Sequence, residues 1–165
     1  MSTDAIVFLK EEHKQMRRVF REFEKSKEDL ERRGEVVRRM IELLTIHTYL
    51  ENEIMYPEVR RLLPQVEDDV LESYEEHHVA DVLCQELWSM DPADEHYPAK
   101  ATVLVENVEH HMGEEEQEWF PKVRDGVGRK ELRDMGQRMI DRRPSAPRTP
   151  TEPAALKKAM DAVRA

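Results

Sequence analysis

Residues 47–57 read His47-Thr48-Tyr49-Leu50-Glu51-Asn52-Glu53-Ile54-Met55-Tyr56-Pro57, and residues 111–121 answer them at an offset of 64. His47 is matched by His111, Glu51 by Glu115 and Pro57 by Pro121. Earlier in each half, Glu11-Glu12-His13 and Glu75-Glu76-His77 match at the same offset. The duplicated set of two His and one Glu offers four imidazoles and two carboxylates, an inventory that suits a pair of metal ions. The step of four from His to Glu stacks each pair on one helix face, about one turn apart.

The flanking residues say what carries this set. Ile6, Leu9, His13, Met16, Phe20 and Phe23 recur at spacings of three and four, which predicts an amphipathic helix over 2–26, capped by Ser2 or Thr3. Gly34 is read as a break before a second helix, whose stripe holds Val37, Met40, Leu44, His47, Glu51 and Ile54. A third helix follows Pro64, turns Val70, Tyr74, His77, Cys84 and Leu87 inward, and ends before Asp91-Pro92. The fourth starts near Pro98, presents Ala101, Leu104, Val108, His111 and Glu115, and runs to about Arg124 ahead of Gly126 and Gly128. Pro57 and Pro121 fall late in the second and fourth helices, where proline bends or ends a helix. Four such helices with short loops predict an all-α, up-down-up-down four-helix bundle built from a duplicated helical hairpin, assigned to residues 1–128. Residues 129–165 are expected to pack on the bundle or trail from it. They read as a short basic helix over 129–143 with Leu132, Met135, Met139 and Ile140 as its packing face. A polyproline II stretch marked by Pro144, Pro147, Pro150 and Pro153 follows, then a last helix over 154–165.

Length and composition narrow the function classes. A chain of 165 residues suits one domain. The formal charge of −10, with no basic patch over positions 1–128, argues against nucleic acid or an anionic membrane as the partner. No apolar run approaches a membrane span, and the N-terminus turns charged too early for a secretory signal. The expected location is the cytoplasm and the expected state a monomer, a dimer being the alternative. Cys84 is the only cysteine, which excludes an internal disulfide and a thiolate metal site, so any metal is held by nitrogen and oxygen.

The six candidate ligands, His13, His47, Glu51, His77, His111 and Glu115, all lie on the apolar stripes. An ionised carboxylate buried without a partner costs several kcal/mol, and bound cations remove that cost for both carboxylates at once. Taken singly, each His reads as an ordinary core histidine satisfied by a carbonyl or water, and His47 with Glu51 as a surface or interhelical ion pair. The joint match at one offset is what makes them a ligand set. His78 and His110 point roughly 100° away around their helices, and His96 lies in the 92–98 loop. The repeat selects His111 over His110, and Asp81, His78 and His110 stay open as additional ligands. Imidazole and carboxylate admit Fe, Mn or Zn; six ligands shared by two ions leave positions for a small molecule, which two irons fit best. Only Glu75-x-x-His78 carries the ferritin-like spacing, and the zinc hydrolase pattern His-Glu-x-x-His is absent. Tyr49 and Tyr74 lie within a turn of ligands, as packing residues or as hydrogen-bond donors. Gly113 is read either as space beside the site or as a close helix crossing.

At Glu11-Glu12-His13, His47-x-x-x-Glu51 with Tyr56-Pro57, Glu75-Glu76-His77, and His111-x-x-x-Glu115 with Phe120-Pro121, the chain resembles the hemerythrin-like (HHE cation-binding) family over residues 4–125. The resemblance implies a four-helix bundle with a bridged pair of non-haem irons that binds or reacts with oxygen, nitric oxide or peroxide. Oxygen-carrying members place a fifth ligand His one turn along the third helix, where this chain has Ser73 and Asp81 around His77. That departure leans the expectation toward redox chemistry on peroxide or nitric oxide. A reversible carrier or sensor, and iron storage or delivery for repair of iron centres, are the alternatives.

Overall fold

The computed structural model describes residues 3–150; Ser2, Pro153 and the helix expected over 154–165 lie outside the described residues. Helix α1 spans Ala5–Ser26, α2 Leu30–Leu50, α3 Tyr56–Leu62, α4 Glu67–Ser89, α5 Tyr97–Glu114, α6 Phe120–Gly126 and α7 Arg129–Arg142. Asp4, rather than Ser2 or Thr3, caps α1, its Oδ1 accepting the Val7 amide at 2.9 Å. A carboxylate can cap the helix and bind a cation together, and Arg124 Nη1 donates to Asp4 Oδ2 at 3.1 Å.

The expected break at Gly34 lies elsewhere. The chain turns at 27–29, where Asp29 Oδ1 accepts the Arg32 amide at 2.9 Å, and Gly34 sits buried inside α2. A Cβ on Gly34 would stand 2.9 Å from the Pro92 side chain. The glycine thus lets the α4–α5 loop close down on α2, at the roughly 1 kcal/mol that a helical glycine costs.

Neither Pro57 nor Pro121 ends its helix. Each follows a π turn, Glu51–Met55 or Glu115–Trp119, in which the amide of Tyr56 or Phe120 reaches back five residues to the carbonyl of Glu51 or Glu115. Proline lacks an amide proton, and the one-residue widening re-registers the hydrogen-bond ladder so that the helix continues as α3 or α6. The ligand candidates Glu51 and Glu115 are the first residues of the two widened turns.

Helix α1 packs against α2 and α4 against α5, while α2 meets α4 and α1 meets α5. With the short connections this is the expected up-down-up-down four-helix bundle. Two apolar clusters form its core. One gathers Leu9, Leu50, Ile54 and Phe120, the other Met16, Phe20, Met40 and Leu104. On α1, His13 falls between Leu9 and Met16, and on α2, His47 falls between Leu44 and Leu50, so a polar layer separates the clusters. Helix α7 lies along α1 and adds Leu132, Met135 and Met139 to the first cluster. Gly136 makes this possible, because a Cβ there would collide with the backbone of Thr3 and Asp4. Ile140, expected on the packing face, is 37% exposed. Pro144 belongs to a short 3₁₀ turn, Arg143–Ser145, and not to a polyproline II stretch; the turn lets Ser145 Oγ donate to the Arg142 carbonyl. Among the described residues no helix is long and apolar enough to cross a membrane.

Candidate metal centre

All six sequence-selected residues reach the polar layer, each 5% exposed or less. His13, His47, Glu51 and Glu115 bring one donor atom apiece to within 4.8 Å of one another, and Glu51, His77 and His111 do the same beside them. Glu51 belongs to both groups. Its Oε1 lies 3.3 Å from His47 Nε2 and its Oε2 lies 3.1 Å from His77 Nε2. Glu115 is disposed the same way, with Oε2 3.2 Å from His13 Nε2 and Oε1 3.4 Å from His111 Nε2. Each carboxylate therefore turns one oxygen toward the histidines of α1 and α2 and the other toward those of α4 and α5.

Four atoms in this layer, His13 Nε2, His47 Nε2, Glu51 Oε1 and Glu115 Oε2, are buried with no hydrogen-bond partner. Orphaned polar atoms that converge are costly unless a further group joins them. Two imidazole nitrogens and two carboxylate oxygens directed at one point make a donor set for a divalent or trivalent metal ion. The charges agree. Burial disfavours a charged His47, but Glu51 and Glu12 outweigh it and raise its pKa to about 10. Burial likewise opposes a charged His111, and Glu115 and Glu51 push it well above its ordinary value. His77, held down by burial and by neighbouring His111, moves the other way. Glu51, despite its burial, is held well below the usual carboxylate range by His47, His111 and His77.

The outward ring nitrogens are all engaged. His47 Nδ1 donates to Glu12 Oε2 at 2.9 Å, His13 Nδ1 to Glu116 Oε1 at 2.7 Å and His77 Nδ1 to Asn52 Oδ1 at 2.9 Å; His111 Nδ1 donates to Glu76. With a proton held on each Nδ1, Nε2 is the nitrogen that faces inward and would give its lone pair to a metal ion in place of a proton. Sequence reasoning missed these four partners as a functional set, although the signal was available. Glu12 and Glu76 are related by the same offset as the ligands, and so are Asn52 and Glu116.

The larger omission is Tyr56, which sequence reading treated as part of an aromatic-proline step. Its ring is fully buried, and its hydroxyl donates to Glu115 Oε1 at 2.9 Å while lying 3.1 Å from both Glu51 Oε2 and His77 Nε2. Burial, then Glu115 and Glu51, hold its pKa well above the ordinary phenol value, so it stays protonated. Phe120 occupies the equivalent position of the other half, and the hydroxyl is thus present on one side of the centre only. The Tyr56 and His77 rings stand 5.2 Å apart, and Ser73, one turn before His77, is buried and bonds to the Asp69 carbonyl at 2.9 Å. Asp81 lies outside both donor groups.

The remaining expectations sort by exposure. His110, 66% exposed, pairs with Glu114 at 3.1 Å and takes no part in the buried layer, and His96 is exposed in its loop. Tyr49 hydroxyl accepts from Arg142 at the surface, and Tyr74 packs edge-on against Tyr56 at 5.1 Å. Gly113 serves no close crossing, since a Cβ there would meet nothing within 4 Å. Met16, Met40, Met55 and Met112 are buried core residues. A polar cleft of about 50 Å³ opens beside His111 and Ser73, rimmed by Glu72, Glu76, Glu114 and Glu118. A second space of about 10 Å³ touches His47, His77 and His111 among Leu44, Ala80 and Val108.

No match is found among curated proteins. Among solved structures, the chain is similar to a hemerythrin HHE cation-binding domain-containing protein of Mycobacterium kansasii. The TM-score is 0.73 at 20% identity, covering 87% of this chain and 86% of that one, which establishes a shared fold. The family model for the hemerythrin HHE cation-binding domain matches residues 4–123, the segment that supplies every residue of the buried donor layer. With side chains that could hold a metal ion gathered in a bundle of that fold, the chain belongs to the hemerythrin HHE cation-binding domain family.

Proposed function

We propose that this protein carries two iron ions, one on His13 and His47 and the other on His77 and His111, with Glu51 and Glu115 shared between them, and that it breaks down peroxide. Manganese or zinc would be substitutes at the same donors. The observation that carries the metal reading is the convergence of four buried, partnerless donor atoms on one point, beside a second buried donor group of Glu51, His77 and His111. Iron held there supplies one-electron redox steps and open coordination positions for a small ligand.

The chain's own residues then divide the remaining work. Glu12, Glu116, Asn52 and Glu76 hold the four imidazoles in one tautomer and orientation. The apolar clusters above and below keep bulk water and larger reductants away. Tyr56 places a neutral hydroxyl against the His77 and His111 side, where it holds Glu115 and would turn to donate a hydrogen bond to a small ligand bound there. The polar cleft at Ser73 and His111 opens on that same side. Peroxide breakdown releases one oxygen molecule and two waters for every two peroxides, so a proton-bearing group beside the reacting oxygens favours turnover over storage.

Reversible oxygen or nitric oxide binding is the second reading. The small space against His47, His77 and His111 favours it, because its exposed lining is apolar and suits an uncharged ligand. Iron storage or delivery has no observation of its own in its favour. Metal analysis of purified protein is expected to give two ions per chain, mainly iron, and adding peroxide to the ferric protein is expected to evolve oxygen. A stable, reversible oxygen adduct without peroxide turnover would select the carrier, and metal-free protein from iron-replete cells would reject both.

A further inference from the structure

The family match ends at residue 123, yet a side chain beyond it is wired to the centre. Arg143, which follows α7 and opens the 3₁₀ turn, donates from Nε to Glu12 Oε1 at 2.8 Å, and Glu12 Oε2 accepts from His47 Nδ1 at 2.9 Å. His47 Nε2, at the inner end of this chain of contacts, is one of the partnerless buried atoms. Glu12 is 9% exposed at the side chain and spans the gap between a surface cation and a buried imidazole. Burial alone would raise its pKa, but His47 and Arg143 together hold it down. A parallel relay serves the other histidine of the same half: Arg17 Nη1 donates to Glu116 Oε1 at 2.9 Å, and that oxygen accepts from His13 Nδ1. The acceptors behind His77 and His111 are built differently, as a neutral Asn52 and as Glu76, whose Oε1 lies 3.9 Å from His110.

We infer that Arg143 is a positioning residue for the metal held by His13 and His47, so that α7 and the turn after it contribute to metal affinity although they supply no ligand. The inference rests on the reading of His47 as a ligand. Its physical basis is that Glu12 must present Oε2 to His47 in one rotamer, and Arg143 anchors the opposite oxygen so that the carboxylate cannot rotate away. Without it, Glu12 is free to swing toward solvent, and His47 loses the acceptor that keeps its proton on Nδ1. The docking of α7 on α1 through Gly136 and Leu132 sets where Arg143 stands. The tether and the ligand orientation are therefore one mechanical unit.

A charge elsewhere on the same segment separates positioning from mere attachment. Arg148 Nη1 reaches Glu42 Oε1 at 2.6 Å and also ties the C-terminal segment to the bundle, through a glutamate that is not one of the histidine partners. The experiment is titration of metal-free full-length wild type, Arg143→Ala, Arg143→Lys and Arg148→Ala with Co(II), followed by its visible ligand-field bands and by thermal melting. Outer-shell substitutions lower metal affinity by about 10- to 100-fold, and Arg143→Ala, one contact further out, is expected near the lower end of that range, confined to one of the two equivalents. Its Co(II) bands for that equivalent are expected to shift, Arg143→Lys to recover part of the affinity, and Arg148→Ala to match wild type. Unchanged affinity in Arg143→Ala, or an equal loss at both equivalents shared by Arg148→Ala, would overturn the inference while leaving the metal reading intact. Failure of wild type to take up Co(II) would overturn the metal reading and this inference with it.

Discussion

Tyr56 and Phe120 occupy equivalent places in the duplication, and the single oxygen that separates them makes the two halves of the centre chemically different. The hydroxyl reaches the α4- and α5-facing oxygens of Glu51 and Glu115 and both histidines of α4 and α5, so its loss is felt on that side alone. Tyr56→Phe keeps the ring packed against Tyr74 and Trp119 while removing one hydrogen bond to charged acceptors. At about 1.5 kcal/mol or more for such a bond, peroxide turnover is expected to fall at least about tenfold with metal content near wild type. Oxygen-evolution rates normalised to bound iron check this; an unchanged rate would remove Tyr56 from the chemistry. The neighbouring histidines of α5 give a second comparison at this scale. His111 is buried beside Glu51 and Glu115, whereas His110 is mostly exposed. His111→Ala is expected to lose metal and His110→Ala to keep the wild-type content by elemental analysis. The reverse result would mean that α5 uses a five-residue spacing to Glu115.

At the scale of elements, the π turns explain how one helix can present a ligand and then pass a proline. Widening the turn at Glu51 and Glu115 carries the following aromatic, Tyr56 or Phe120, to the level of the bundle where the histidines stand. Helix ends are set by more local chemistry. Burial would raise Asp4, but the Val7 amide and Arg124 outweigh it and hold its carboxyl below the ordinary 3.8. A lowered folded value means that Asp4 stabilises the fold fully above its unfolded pKa and loses that contribution as pH falls through the folded one. Asp4→Ala is therefore expected to cost about 1 kcal/mol at neutral pH, a difference that shrinks below pH 3.8. Paired thermal melts of the two proteins across pH check it, and a difference that grows on acidification would contradict the assignment of the cap.

For the whole molecule, the polar layer divides the core into two apolar clusters, and the bundle must hold it together without hydrogen bonds for four of its atoms. A bound metal joins those atoms, so binding free energy becomes folding free energy. At a metal concentration about a thousandfold above the dissociation constant this amounts to about 4 kcal/mol. Removal by chelation is thus expected to lower the melting temperature by about 10 °C, with recovery on adding iron; equal melting of the two forms would contradict it. Much of this was legible in the chain. The spacing of three and four, the constant offset between the halves and the placement of His and Glu on apolar stripes determined a four-helix bundle and its six candidate ligands, because helix periodicity and the cost of burying charge are local and additive. What the period could not convey is which way a side chain points across the bundle. Tyr56 scanned as punctuation because its hydroxyl acquires meaning only when α4 and α5 stand opposite it. Gly34 scanned as a break because Pro92, which fills the space of its missing Cβ, belongs to the distant loop between α4 and α5. Arg143 scanned only as the end of a short basic helix because its partner Glu12 is reached only once α7 lies on α1. Tertiary structure alone decided these three, since each depends on a distance between residues that no local pattern relates.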